Sequence, residues 1–567
     1  MPDDVSLRPG IAQPSRLISR IFIGLVVLYC TWIVSLPLFP TQDGPMHLYY
    51  TEVLARILSH SHLFTYFYGV RLPPPPYVLH YGVLLIFTRI LSAAWAEKCV
   101  VCLIVIGFAY GFRYFARQIG PGGDLISLWA VPLSLNWTLG MGFHNYCLSF
   151  AISFWGMGTW LAAVGERKLR LWIWFLLLVS LMLLSHPVPL LLTLAFIVGE
   201  LLLRVIQDLL RRSGTGKSGF QKLVAYRSEI LVAIAAYCSL AYIALFVDWQ
   251  RTGENWTAHQ NSPDVFAGYV SLKALSLVGD TEPGQIYCWS FYFVLALAFG
   301  LAVRGLWRRC RTLQLRVSDL LLVASLLLVY VIPQLPNTIN GSDFFSDRLV
   351  MYVWVAALAA ACGNPVPRQM RQAVCIVACV FAAVAVSLAD SYVRPVAKRI
   401  ALMETSPIEH SGHRGIFIYT PIYKPLPQEI SGLTFNPDVW VAARYFRRAG
   451  AVMLNPPWLD LPISPLKPRR QLLINIFPKR VSTYPDQLRW FLMGSQDARN
   501  TISGLADFIL FTGATLPKPS APDPLLQSEW PHPWSCEWNQ WYSVCAGARD
   551  RPSAKAQVKK SPGAFSR

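Results

Sequence analysis

"LFPTQDGPMHLYYTEVLARIL", residues 38–58, decides how this chain is read. It follows directly on the apolar run "RLISRIFIGLVVLYCTWIVSLPLF" and at once presents Asp43, His47 and Glu52 in a pattern that predicts a helix. Pro45 suits the first turn of that helix and Asp43 its N-cap. Spacing by three and four puts His47 on one face with Tyr50 or Thr51. Leu48, Val53, Leu54, Ile57 and Leu58 make the helix partly amphipathic, as expected of one lying in a membrane interface. A plain connecting loop has no need of an acid and an imidazole in this order. The stretch reads as a catalytic loop or as a polar hinge.

Composition sets the surroundings. Of 567 residues, 54% are hydrophobic and 14% charged, too little charge for a soluble protein of this size. Apolar runs of about 17–22 residues recur from residue 17 to residue 391, the length needed to cross ~30 Å of hydrocarbon as helix. The first run has no small-residue cleavage site and is read as a mature membrane helix. The predicted fold class is an all-α polytopic membrane protein over residues 1–391, with a small C-terminal extracytoplasmic α/β domain. Spanning helices are expected near 17–37, 77–95, 98–116, 142–164, 170–185, 188–205, 229–247, 288–305, 318–335, 348–363 and 372–390.

The segment "DLISLWAVPLSLNWTLG" (124–140) is interrupted by Pro132. Its apolar part, about 15 residues, spans only ~22 Å as helix. The basic loops "GERKLR", "RRSGTGKSGFQKLVAYR", "RGLWRRCR" and "PVPRQMR" belong on the inner face. A crossing at 124–140 would put them all outside, so the segment is expected to be broken or re-entrant and open outward. Eleven crossings then leave the C-terminus on the outer face.

After residue 391 prolines multiply and short mixed runs such as "RGIFIYT" and "LADFILFTG" appear. Residues 392–546 are expected to form the α/β domain, and 547–567 a disordered basic tail. The net charge of +19 sits mainly between apolar runs and in that tail. It speaks for topology and anionic membrane lipid, with no nucleic-acid partner. Most of the twelve cysteines, Cys99, Cys102, Cys375 and Cys379 among them, lie in apolar runs and read as small hydrophobes. Cys536 and Cys545, in "SCEWNQWYSVCAG", are the disulfide candidate if their region faces an oxidising compartment.

Polar residues gather where helices meet the predicted outer face. "GMGFHNYCLSF" (140–150) offers glycines for a sharp turn and then His144 and Asn145. "LLSHPVPLL" ends a helix on His186, an imidazole in apolar surroundings. "DFFSDRLVMYVW" starts another with Asp347 and Arg348. Arg348 can snorkel to lipid phosphate or grip a ligand phosphate bidentately, and Asp347 can orient it or cap the helix. No P-loop, zinc spacing or nucleophile elbow competes, and "GTGKSG" (214–219) lacks the glycine spacing of a phosphate loop.

"DGPMHLYYTEVLAR", "GFHNYCLSF", "LLSH" and "SDRLVMY", with an early acid after the first helix, resemble the GT-C class of integral-membrane glycosyltransferases. That class includes protein O-mannosyltransferases, aminoarabinose transferases and oligosaccharyltransferases, and the likeness extends to uncharacterised bacterial membrane proteins. The resemblance implies an inverting hexosyltransferase in the cell membrane, the bacterial inner membrane. It would move a sugar from a polyprenyl-phosphate carrier to a glycan, lipid or protein acceptor at the outer face. The early acid acts in the class as general base or metal binder, and here it is Asp43. Many members carry a second adjacent acid where this chain has Gln42 and Gly44, which leaves a divalent ion (Mg or Mn) open. His47, His144 and His186 are expected to donate to phosphate or sugar hydroxyls, and Arg348 to hold the departing phosphate. The tryptophans of "DWQRTGENW" and "QSEWPHPWSCEWNQWY" can stack on sugar faces. A flippase for a lipid-linked glycan and a membrane scaffold are the competing readings.

Overall fold

In hydrocarbon a backbone must satisfy its own hydrogen bonds, so the apolar runs become helices, and the contacts at their ends show which way each runs. The computed structural model describes residues 15–211, 226–246, 275–279, 281–311, 314–335, 345–405, 414–419, 433, 441–453, 464–468, 508–512, 534–538 and 542–547. Helix α1 (Arg16–Ser35) is followed by α2 (Gly44–Leu58), the short α3 (His62–Phe67), strand β1 (Tyr68–Val70), α4 (Val78–Ile90) and α5 (Ala93–Ile119). Lys98 near the start of α5 donates to the carbonyls of Val34 and Leu36, each at 3.0 Å. Arg113 near the end of α5 donates to the Ser19 hydroxyl at 2.8 Å. The two helices are therefore antiparallel. The end holding Lys98 is called the site end and the other the far end.

Two sequence expectations fail here, and for related reasons. The run 77–95 begins and ends at the same end of the bundle. The Tyr77 amide donates to the Leu184 carbonyl at 3.1 Å, at the site end. Beyond α4 and a turn at Leu91–Ser92, Glu97 meets Thr41 at the same end. At 13 residues, α4 is ~20 Å long, short of the ~30 Å required. Segment 124–140, expected to be broken or re-entrant and to open outward, is broken, and it runs the length of the bundle. The Gly122 amide donates to the Cys362 carbonyl at the far end, and the Gly140 carbonyl accepts from the Gln42 amide at the site end, both at 3.0 Å.

Between these anchors four short turns, Gly123–Ile126, Ser127–Trp129, Ala130–Leu133 and Trp137–Gly140, replace a continuous helix. The joints at Ser127, Ala130 and Ser134 keep helical backbone angles, and the chain is extended at Asn136, before the last turn. Asn136 repairs the break: its amide donates to the Leu133 carbonyl at 2.9 Å and its oxygen accepts from the Leu139 amide at 3.2 Å. Neighbouring helices bury the segment from Leu125 to Asn136, which is what lets irregular backbone sit at this depth. One passage along the bundle is lost at 77–95 and one gained at 124–140, so the direction of the later helices is unchanged.

Helices α6 (His144–Glu166), α7 (Leu169–Ser185), α8 (Pro187–Arg211), α9 (Arg227–Ala244), α10 (Glu282–Cys310), α11 (Val317–Val331), α12 (Phe345–Ala361) and α13 (Arg368–Thr405) follow. Among the described residues eight helices are long and apolar enough to cross a membrane: α1, α5, α6, α8, α9, α10, α11 with the turn after it, and α13. Phe108 and Phe112 of α5 pack on Phe150 and Phe154 of α6, with ring centroids 5.3–5.6 Å apart. Charges meet at the far end: Arg113 with Asp124 at 2.6 Å, Arg309 with Asp319 at 2.5 Å and Arg167 with Glu229 at 3.7 Å.

Helix α13 runs unbroken through residue 391. Beyond it lie β2 (Arg414–Tyr419), α14 (Val441–Ala449), β3 (Val452–Met453), β4 (Leu466–Pro468), β5 (Phe508–Thr512), β6 (Trp534–Trp538) and β7 (Tyr542–Gly547). Five strands form one sheet in the order β3-β2-β5-β7-β6. In it β2 is parallel to both neighbours, whereas β7 is antiparallel to β5 and β6. Strand β4 pairs instead with β1, antiparallel, Gly69 opposite Lys467. Cys536 and Cys545 are register partners across β6 and β7. The tail beyond Gly547, the 248–256 tryptophan segment and most of the second one lie outside the described residues.

The two topological corrections have a direct check. A membrane-impermeant maleimide should label Ser92→Cys from the face where His62 lies and Pro121→Cys only from the opposite face. Labelling of Ser92→Cys from the far face would restore the crossing at 77–95.

Candidate functional site

The corner "GMGFHN" (140–145) organises the site end. Gly142 has φ +79°, and a Cβ there would lie 2.7 Å from the Gly44 nitrogen and 2.9 Å from that of Asp43. Only glycine allows both the turn and so close an approach. The corner presents its carbonyls to the first loop: Gly140 and Met141 accept from the amides of Gln42 and Asp43, each at 3.0 Å.

Asp43 stands at the N-cap of α2, but its side chain makes no capping hydrogen bond. Thr41 supplies that bond, its hydroxyl accepting from the Gly44 amide at 3.1 Å. The Asp43 carboxylate is thus not engaged in the cap. It is buried and interacts electrostatically with Tyr81. Helix α2 is not laid open on an interface: residues 44–51, Val53 and Leu54 are all buried, because the helix packs between α4 and α14.

His47 is held on both nitrogens. Its Nε2–H donates to the Gly142 carbonyl at 3.1 Å. That leaves Nδ1 as acceptor for the Tyr81 hydroxyl at 2.9 Å, with His80 Nε2 approaching at 3.2 Å. Burial, and then the nearby His144, pull its pKa down to about 3, while the bond to Gly142 opposes them. His47 is a neutral imidazole locked in one tautomer.

His144 begins α6, 1% exposed, with its ring 5.7 Å from that of His47. Neither of its ring nitrogens has a hydrogen-bond partner. Asn145 serves local structure: its oxygen accepts from the Tyr146 amide at 2.8 Å and its carbonyl from the Ser185 hydroxyl at 2.7 Å, tying α6 to α7. His186 follows α7, and its Nδ1 accepts from the Val188 amide at 3.2 Å. In a neutral ring the proton then sits on Nε2, which faces Arg348 Nη1 at 3.4 Å. Two donors are turned toward one another, an arrangement suited to a shared anion. Arg348 lies 4.1 Å over the Phe143 ring, and its carbonyl accepts from the Tyr146 hydroxyl at 2.5 Å. Asp347 is half-buried in the first turn of α12.

All seven candidates thus lie at the site end, linked through the 140–145 corner: the Asp43 amide and the His47 ring bond to its carbonyls, and Arg348, with His186 beside it, lies over Phe143. Sequence reasoning missed Thr41, His80, Tyr81, Glu97 and Arg444. Glu97 had a signal, an acid at the edge of an apolar run. The two tyrosine and histidine positions of α4 were lost because that segment was taken for a crossing. Among the described residues no group of three or more His, Cys, Asp or Glu side chains could hold a metal ion. With Gln42 and Gly44 beside Asp43, the donor set does not fit a divalent ion, and no step below uses one.

The fold is similar to that of ArnT from Cupriavidus metallidurans. The crystal structure bound to undecaprenyl phosphate aligns with TM-score 0.50 at 10% identity, over 93% of this chain and 97% of that one. Its apo state gives 0.49 at 11% identity over the same shares. The cryo-EM structure of the arabinofuranosyltransferase AftD from Mycobacteria gives 0.48 at 15% identity, over 96% of this chain and 41% of AftD. At such identities the likeness is one of fold. No family model matches the sequence, and no curated protein is significantly similar to it.

Two measurements test this geometry. Gly142→Ala should lower the unfolding temperature, since a left-handed residue other than glycine costs roughly 1–2 kcal/mol before the contacts with Gly44 and Asp43 are counted. For His47, the unfolded chain binds a proton that the folded one refuses between about 3 and the ordinary 6.5. Its contribution to stability is therefore complete above 6.5 and is lost as pH falls through that window, by up to about 1.4 kcal/mol per pH unit. Thermal scans from pH 7.5 to 5 should show a shallower decline for His47→Gln than for the unaltered chain.

Proposed function

We propose that this chain, which shares the fold of ArnT, is an inverting membrane glycosyltransferase that takes a sugar from a polyprenyl-phosphate carrier. One observation carries the reading. A carboxylate that does not cap its helix and a pair of facing donors, His186 and Arg348, stand on two sides of one corner at one end of the bundle.

The site end is the outer face. In support, Arg113, Arg167 and Arg309 gather at the far end, where positive residues belong if that end is cytoplasmic. The C-terminal sheet then lies outside the membrane, in a compartment where Cys536 and Cys545 can be joined. A bacterial inner membrane fits this arrangement.

In the reaction Asp43 accepts the proton of an acceptor hydroxyl, and the oxygen attacks the anomeric carbon of the donor sugar from the face opposite the phosphate. The bond between that carbon and the phosphate oxygen breaks, and the electron pair leaves with the polyprenyl phosphate. Arg348 and the Nε2–H of His186 meet the charge that grows on the departing phosphate. His144, with two unpartnered ring nitrogens, is placed to bind a sugar or acceptor hydroxyl. Asp347 steadies Arg348. The acceptor is a glycan, a lipid or a protein.

Membranes containing the protein, supplied with undecaprenyl-phosphate sugars, should release undecaprenyl phosphate. Asp43→Asn should cut the rate about 10²–10⁴-fold while insertion and thermal stability are retained. An unchanged rate in a folded Asp43→Asn protein removes Asp43 from the chemistry.

A further inference from the structure

We infer that Arg444, in the C-terminal part of the chain, is a positioning residue for Asp43, acting through Glu97 and Thr41; its catalytic meaning rests on the transferase reading above. The links are individual hydrogen bonds. Arg444 Nη2 donates to Glu97 Oε2. The Thr41 hydroxyl donates to Glu97 Oε1 at 3.2 Å and accepts from the Gly44 amide at 3.1 Å. Gly44 is the residue after Asp43, so the series runs from α14 to the turn that presents the carboxylate. A Cβ on Gly44 would come within 2.2 Å of Glu97 Oε1, so the turn is seated directly on the Glu97 carboxylate.

Burial argues that this pair serves geometry before stability. The side chains of Arg444 and Glu97 are 1% and 0% exposed. An ion pair so deep repays little of its desolvation and is often replaceable by apolar residues without loss of stability. Nor is it needed to attach α14. Tyr49 of α2 packs edge-on against Phe446, with centroids 6.4 Å apart, and its hydroxyl donates to the Ala451 carbonyl at 3.3 Å and accepts from the Met453 amide at 2.6 Å. What the pair adds is direction. A planar guanidinium fixes a carboxylate more narrowly than an apolar contact, and hydrogen bonds in series polarise one another.

The far end of the series is anchored as well. Arg444 Nη1 lies 3.9 Å from Glu404 Oε2, and Arg447 Nη2 lies 3.2 Å from Glu404 Oε1. Glu404 ends α13, so the Asp43 turn is referenced to the long helix that leaves the membrane. A base displaced by an ångström loses about 10²-fold in rate, which gives such a device its value.

The test uses the full-length protein in detergent, with hydrogen exchange followed over residues 42–47. Arg444→Met and Thr41→Val should each speed exchange there about tenfold and leave α6 protected. Their combination should go no further than either alone, because both break one series. Arg444→Met strands Glu97, so Arg444→Lys, which keeps the charge but loses the planar guanidinium, guards against misfolding and should also loosen the turn. With an undecaprenyl-phosphate sugar as donor, kcat should fall about 10²-fold while the donor KM stays within twofold. Unchanged exchange at 42–47 in folded Arg444→Met or Arg444→Lys, or additive effects in the combination, overturns the inference. If the unaltered protein releases no undecaprenyl phosphate, the proposed function falls, while the exchange data still decide the positioning role.

Discussion

The amides of Gln42 and Asp43 donate to the carbonyls of Gly140 and Met141, and the rest of the site depends on that join. It fastens the first loop to the corner before α6 and leaves the Asp43 side chain out of helix capping. The same corner supplies the carbonyl that fixes the tautomer of His47 and the ring on which Arg348 rests. A polar site at a membrane boundary carries a heavy desolvation cost unless each group has a fixed partner. Here the backbone of one glycine-rich turn provides several of those partners at once.

Polarity is also divided between the two ends. The far end gathers ion pairs of ordinary topology-setting arginines, such as Arg113–Asp124 and Arg309–Asp319. The site end gathers imidazoles, tyrosines and a cation stacked on an aromatic ring, with the buried Glu97–Arg444 pair beneath them. Burial keeps His47 neutral, so it takes part by directional hydrogen bonding and not by charge. Cationic character near the proposed phosphate position falls to Arg348, which no physiological pH discharges.

How much of this was legible in the sequence differs from element to element. Helix-forming runs were legible because hydropathy over a full span is a strong signal, and α1, α6, α7 and α8 lie where it put them, whereas α13 extends well beyond its expected end. The candidates Asp43, His47, His144, His186 and Arg348 were legible as polar residues at helix boundaries, and they lie at one end. The fate of 77–95 and 124–140 was not legible. A hydropathy window reads apolar length, whereas crossing depends on whether backbone groups find partners elsewhere, and Asn136 and the surrounding helices provide them only in the fold. The Glu97–Arg444 pair was beyond reach for a different reason. Its members are 347 positions apart, and nothing local to either names the other.

The interrupted passage from Gly123 to Gly140 has a consequence for how the protein is made. A continuous apolar helix can enter the bilayer by itself, but this passage cannot, since its open backbone groups must meet protein and not lipid. Its neighbours include Phe291, Phe381 and the Cys362 carbonyl, all synthesised well after it. The protein surface that covers this passage is therefore complete only once the helices carrying Phe291, Cys362 and Phe381 have been made.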